Sequence, residues 1–138
     1  MKVLVSGCLV GENCRYKGDN CYNERVMEFL KDKQVVVVCP EQLGGLPTPR
    51  KPSERVGDKV INSSKSDVTK EYLTGAQKTL EIAQKEKVDL CLLKAKSPSC
   101  GHGRIYDGSF SGTLINGDGV TAELMIINGF KVITEEDV

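Results

Sequence analysis

Three short runs, Lys2 to Ser6, Val35 to Val38 and Val88 to Lys94, are rich in Val and Leu and show no polar alternation. Continuous apolar runs of this length fit strands covered on both faces, as in a parallel sheet, better than strands with one wet face. Between them lie helical patterns. Asn23 to Lys31 places Val26, Met27, Phe29 and Leu30 on one side of a helix. Asp67 is a candidate N-cap with Glu71 near the first turn, followed by Val68, Tyr72, Leu73, Ala76, Leu80 and Ala83 at helical spacing up to about Lys87. Thr121 to Asn128 reads as a short helix stopped by Gly129, and Phe130 to Thr134 as a last strand. Strands alternating with helices predict an α/β fold with a mainly parallel, Rossmann-like open sheet, flanking helices and right-handed crossovers. Two stretches fall outside this pattern. Arg55 to Ile61 carries a turn signal at Gly57-Asp58 and predicts a small hairpin, while glycine-rich Gly101 to Gly119 is expected to be largely loop and turn.

The fold class turns sequence order into a candidate site, because ligands of open α/β sheets sit beyond the carboxyl ends of the strands. Cys8, Cys39 and Cys100 each follow a predicted strand. Three loops distant in sequence are therefore expected to bring three thiols to one sheet edge. The chain has 138 residues with 6 Cys, a length that suits a single domain over 1–138. The amino terminus enters a strand pattern at once, without the basic region, apolar stretch and cleavage site of an export signal, which predicts a cytoplasmic protein. Disulfides seldom persist there, so this many Cys point to metal binding or thiol chemistry, with small buried hydrophobes as the competing use. Three loop cysteines are too few for a closed tetrahedral zinc site but suit an open one, and iron-sulfur clusters use the same ligands. Spacing does not choose between zinc and iron. The 19 Lys+Arg balance 19 Asp+Glu, so no global positive field gathers nucleic acid or anionic membrane, and no apolar run approaches the ~20 residues of a membrane span.

Four segments carry a more specific signal: Val5-Ser-Gly-Cys-Leu-Val-Gly-Glu-Asn-Cys-Arg-Tyr-Lys-Gly18, Val38-Cys-Pro-Glu-Gln-Leu-Gly-Gly-Leu-Pro-Thr-Pro-Arg50, Leu93-Lys-Ala-Lys-Ser-Pro-Ser-Cys-Gly101 and Ile105-Tyr-Asp-Gly-Ser-Phe-Ser-Gly112. Together they resemble the family that includes the bacterial thiouracil desulfidases, long catalogued only as a domain of unknown function. The resemblance spans nearly the whole chain. It implies a 4Fe-4S cluster held by three thiolates, which fall here on Cys8, Cys39 and Cys100, and a small thiocarbonyl substrate whose sulfur is taken by the iron without a protein ligand. Iron would act as Lewis acid and soft sulfur acceptor while water replaces sulfur at carbon.

A protein acid/base must then move protons. Glu41, two residues past Cys39, is the first candidate, against a reading as a loop carboxylate bonded to backbone N–H groups. Ser97 and Ser99 flank the turn before Cys100 and offer hydrogen bonds to substrate or cluster sulfide, although Ser-Pro-Ser is equally good turn chemistry. Cys14 matches a family cysteine outside the trio and reads first as a buried thiol. Lys17 stands where the family usually has Asp. Arg15 and Arg50 are candidate anion or carbonyl ligands, Tyr16 and Tyr106 candidate base-stacking groups, and His102 a solvated loop residue. Cys91 belongs to a strand core, and Cys21 has no evident partner. The alternatives from other classes are a cluster-carrying or redox-sensing protein without turnover, and a zinc or thiol protein without iron. Oligomeric state is not encoded in any of these features.

Overall fold

The apolar runs pair as the central sheet of the computed structural model, which describes residues 1–138. Strands β1 (Lys2–Ser6), β2 (Gln34–Val38), β5 (Leu90–Leu93) and β8 (Val132–Thr134) form a four-stranded sheet in the order β2-β1-β5-β8, parallel throughout. The expected α/β architecture with a parallel sheet and flanking helices is present. Alternation along the strands splits the core. Val3, Val5, Leu90 and Leu92 pack with Val26 and Leu30 of helix α1 (Glu24–Leu30) on one face. Leu4, Cys91 and Leu93 pack on the other, against Leu80 and Ala83 of α3 (Thr69–Glu86) and Ala122 and Met125 of α4 (Val120–Ile127). The predicted helix near Asn23 starts with the Asn23 side chain accepting from the backbone N–H of Arg25 and Val26, a cap of the usual kind. No helix is long and apolar enough to cross a membrane.

The expectation that the Val35–Val38 run is covered on both faces is corrected: β2 is an edge strand, and Val35 and Val37 are each 40% exposed. Their neighbours in register, Val3 and Val5, are covered by α1, which does not reach the edge. Composition shows that a run is apolar but not where it sits in the sheet. Two further differences concern segments read as loop. After Cys39 the chain forms the short helix α2 (Pro40–Leu43), with Pro40 in its first turn, where proline's missing N–H costs nothing. Within Gly101–Gly119 the chain pairs β6 (Arg104–Tyr106) with β7 (Leu114–Asn116) in an antiparallel ribbon. The hairpin expected around Gly57-Asp58 is β3 (Ser53–Val56) with β4 (Lys59–Asn62).

One close approach positions the region after β2. The backbone of α2 lies directly on α3: a Cβ at Gly75 would sit 1.9 Å from the Pro40 carbonyl oxygen, and one at Gly44 would sit 1.9 Å from that of Glu71. Only glycine fits at either contact. Gly75→Ala gains up to ~1 kcal/mol of helix propensity, yet the overlap is with backbone that has no room to yield. The overlap wins, and the variant is expected to lose about 1–3 kcal/mol or more in urea denaturation. A stability gain would contradict this packing.

Candidate active site

Three loops at the carboxyl edge of the sheet enclose a cavity of about 590 Å³ whose wall includes Cys8, Cys14, Cys39, Cys100, Glu41 and Arg50. Cys8 lies in the 3-10 turn Gly7–Val10 that continues β1. Cys39 is the residue between β2 and α2, in extended conformation with φ −128 and ψ 101. The Gln42 backbone N–H faces its sulfur, the arrangement expected of a thiol at a helix start. Cys100 is held by a denser device. The Ser97 hydroxyl oxygen accepts from the backbone N–H groups of Ser99 and Cys100, both at 3.1 Å. The first N–H groups of α4 donate to this same loop, Val120 to the Pro98 carbonyl and Thr121 to that of Ser99, each at 2.8 Å. Helix α4 thus uses the cysteine loop as its cap and fixes it to the core.

Cys14 lies within the thiol group rather than apart from it, with side-chain hydrogen bonds to both Cys8 and Cys39. The Cys39 thiol also points at the Cys14 carbonyl, at 3.8 Å. These contacts and burial act together. The Cys14 thiol is lowered by its bond with Cys39, raised more by Cys8 and desolvation, and ends at about 11. The bond with Cys14 and then burial push Cys39 far above the ordinary thiol range. Burial takes Cys100 up to about 12 against the opposing Ser6 hydroxyl. Without a cation the Cys14, Cys39 and Cys100 thiols stay protonated at neutral pH. A bound metal group supplies the positive charge that turns such thiols into thiolate ligands.

Glu41 enters the cavity from the first turn of α2 with both carboxylate oxygens engaged. Oε1 accepts from the Tyr72 hydroxyl at 2.7 Å, and Oε2 pairs with the Arg50 guanidinium, whose side chain is only 6% exposed. The same Arg50 nitrogen donates to the Cys14 carbonyl at 2.8 Å. Burial works against the Arg50 charge, but Glu41 outweighs it and the guanidinium is held more firmly protonated than usual. Burial, then the Glu41 charge, lifts the Tyr72 phenol well above its ordinary range, so it remains a donor. Each carboxylate oxygen keeps a lone pair for a further proton or donor. Removing one member of a buried ion pair strands the other. Arg50→Met is expected to lose about 3–5 kcal/mol of stability in chemical denaturation; a loss below about 1 kcal/mol would show that the pair is effectively solvated.

The remaining candidates are distributed unevenly. Ser97, Tyr16, Tyr106 and Arg15 line the cavity, although Arg15 is paired with Asp19 at 2.9 Å. Ser99 does not line it: its hydroxyl is 2.8 Å from that of Thr121, and the residue is 1% exposed. His102 also lies outside the cavity wall, with Nδ1 2.8 Å from Asp118 Oδ1. Lys17 sits over the Tyr16 ring. Cys91 is fully buried in β5, its thiol raised to about 12 by desolvation. The Cys21 backbone N–H donates to the Cys8 carbonyl at 2.8 Å. Sequence reading missed the Arg50 to Glu41 pair and the Tyr72 donor. Tyr72 stands 31 residues from Glu41 and reads as one more apolar helix position.

A parallel α/β sheet edge carrying loop cysteines, a clamped carboxylate and an open cavity defines a small-ligand site lined by thiols. Comparison with known proteins narrows it. The model of the 2-thiouracil desulfurase family matches residues 3–137, and the chain belongs to that family. The uncharacterised protein YbbK of Bacillus subtilis (strain 168) is 43% identical over 145 residues, an alignment covering 98% of this chain and 96% of YbbK. The solved structure of the 4Fe-4S-dependent thiouracil desulfidase TudS matches with a TM-score of 0.92 at 39% identity, covering 99% of this chain and 92% of that one.

Proposed function

We propose that the protein is a 4Fe-4S-dependent desulfidase that exchanges the sulfur of a small thiocarbonyl compound, such as a thiouracil, for oxygen from water. The observation that carries this reading is the convergence of Cys8, Cys39, Cys100 and the clamped Glu41 on one cavity at the sheet edge. The donor set fits the cluster. The cysteines are soft ligands, Cys8 and Cys100 buried and Cys39 half-buried, and the raised Cys39 and Cys100 thiols need a compensating cation to ionise. Cys8, Cys39 and Cys100 would hold it, leaving one iron without a protein ligand. When bound, the cluster supplies a soft Lewis acid for the thiocarbonyl sulfur.

The chain's own residues supply the proton chemistry. The thiocarbonyl compound and one water give the corresponding carbonyl compound, hydrosulfide and a proton. Glu41 takes the proton from the attacking water through the lone pair left free by Arg50 and Tyr72, and returns it as hydrosulfide leaves. Arg50 and Tyr72 keep the carboxylate in one orientation, which shortens the search for reactive geometry. Ser97 offers its hydroxyl hydrogen to a polar substrate atom, because its oxygen already accepts two backbone N–H groups. Ser99 braces the Cys100 loop through Thr121. Cytoplasmic location remains part of this reading, and the balanced charge supports a small-molecule substrate over a nucleic-acid or membrane partner.

The test is anaerobic turnover. Protein reconstituted with iron and sulfide is expected to convert a thiouracil into uracil and hydrosulfide in equal amounts, and cluster-free protein to convert none. Iron loading without sulfide release from free bases or nucleosides would move the weight to a cluster-carrying or redox-sensing role.

A further inference from the structure

The loop joining β6 to β7, residues 107–113, adds an aromatic wall to the cavity, and its centre is conformationally unusual. Phe110 has φ +57, a left-handed backbone that a bulky side chain seldom adopts. The other non-glycine residues with positive φ are Lys65, Lys87 and Lys96. Phe110 belongs to none of the hydrophobic clusters of the core; it lines the cavity and is 40% exposed. Core packing therefore does not explain why the ring is held there.

The loop is built to hold that ring in place. One carboxylate oxygen of Glu54, a residue 9% exposed in β3, accepts the backbone N–H of Gly108 at 2.9 Å and that of Phe110 at 3.1 Å. Gly108 has φ +97, and a Cβ there would lie 2.3 Å from Val56 Cγ2, so the loop is pressed against β3. The Ser109 hydroxyl donates to Asp107 at 2.6 Å, and Ser111 and Thr113 hydroxyls bond at 2.9 Å. A left-handed residue whose N–H is tied to a buried carboxylate is over-determined by its surroundings, the condition under which backbone strain marks a ligand contact.

We propose that Phe110 is the ring platform of this cavity and selects planar heterocyclic thiocarbonyl compounds over acyclic ones. The inference deepens the desulfidase reading and rests on it for the substrate's thiocarbonyl, but the platform itself binds a ring whether or not sulfur is present. A pyrimidine stacked on Phe110 buries a six-membered π face much larger than the small planar unit of an acyclic thioamide, and such stacking changes affinity by roughly ten- to a hundredfold when the aromatic ring is removed.

Two substitutions separate the ring from the loop. Phe110→Asn removes the ring while suiting the left-handed backbone, and Phe110→Tyr keeps the ring. Uracil, which lacks sulfur and needs no turnover, is titrated calorimetrically into reconstituted wild-type protein and both variants. Phe110→Asn is expected to weaken uracil binding by roughly tenfold or more and Phe110→Tyr to stay near wild type. The KM for 2-thiouracil should rise by roughly the same factor in Phe110→Asn, and its kcat/KM should fall by a much larger factor than that for thiourea. Equal uracil affinity in wild type and Phe110→Asn overturns the proposal, as does an equal loss for thiourea and thiouracil or no uracil binding by wild type. If wild type binds uracil but releases no sulfide from any thiocarbonyl compound, the desulfidase reading fails while the calorimetric comparison still decides the role of Phe110.

Discussion

Protein carrying Cys39→Ser is expected to emerge from anaerobic reconstitution without the brown absorption of a 4Fe-4S cluster, and Cys8→Ser and Cys100→Ser should behave alike. Each replaces a proposed thiolate ligand with a hard hydroxyl that binds iron poorly, and the three-ligand reading assigns no further thiolate to take its place. Cys21→Ser and Cys91→Ser should retain the cluster, since Cys91 is enclosed in β5 and Cys21 is not part of the cavity wall. Cys14→Ser is the sharper control. Its thiol bonds to those of Cys8 and Cys39, so the structure places it near enough to matter. Under the three-ligand reading the variant loads fully, whereas colourless Cys14→Ser protein would make Cys14 a fourth ligand and close the iron on which the mechanism depends. Iron and sulfide analysis of the purified variants checks the whole series.

Glu41→Gln is expected to keep the cluster and lower turnover by roughly a hundredfold or more, the scale for loss of a positioned acid/base. The amide preserves shape and still accepts from Tyr72, but it cannot carry the proton and it leaves the buried Arg50 without its counter-charge. Two consequences are therefore separable: the rate falls for lack of a base, and stability falls because a guanidinium is stranded. Measuring kcat beside denaturation and iron content distinguishes them. A variant that loses iron while staying folded would make Glu41 a ligand. One that keeps near-normal turnover would remove it from the chemistry.

Much of the cysteine arrangement was legible because it depends on topology. Apolar runs without alternation predicted a parallel sheet, and a parallel sheet dictates which strand ends share an edge, so Cys8, Cys39 and Cys100 could be brought together before any distance was known. What escaped reading depends on position across the sheet or on contacts between distant segments. The valines of β2 are as apolar as those of β1, and only the strand order leaves Val35 and Val37 partly bare. Pro40 both follows the β2 run and begins α2, and a proline after a cysteine suits either role locally, so the sequence alone does not show the helix. The ribbon of β6 and β7 hid among glycines that served as its turns.

The chemistry around Glu41 was half visible. Its place after Cys39 pointed to the cavity, but no spacing rule links it to Tyr72, which meets it through the packing of α2 on α3 at Gly44 and Gly75, or to Arg50, which reaches it from the segment between α2 and β3. Ser97 and Ser99 were indistinguishable in sequence, two residues apart on one turn. The structure turns Ser97 to the cavity and Ser99 to Thr121 because α4 caps itself on the loop between them. Phe110 falls within one of the four segments that carry the family resemblance, but a lone aromatic residue in a glycine-rich stretch does not announce a left-handed backbone.

The central claim is that desulfuration takes place at an iron that no side chain holds. Mild oxidation removes such an iron selectively, leaving a 3Fe-4S cluster on the same three cysteines, and the conversion is followed by electron paramagnetic resonance. Sulfide release from a thiouracil is then measured on the 4Fe-4S and 3Fe-4S forms of one preparation. The account predicts release from the first, none from the second, and recovery when ferrous iron is restored. Equal release from both forms would contradict it.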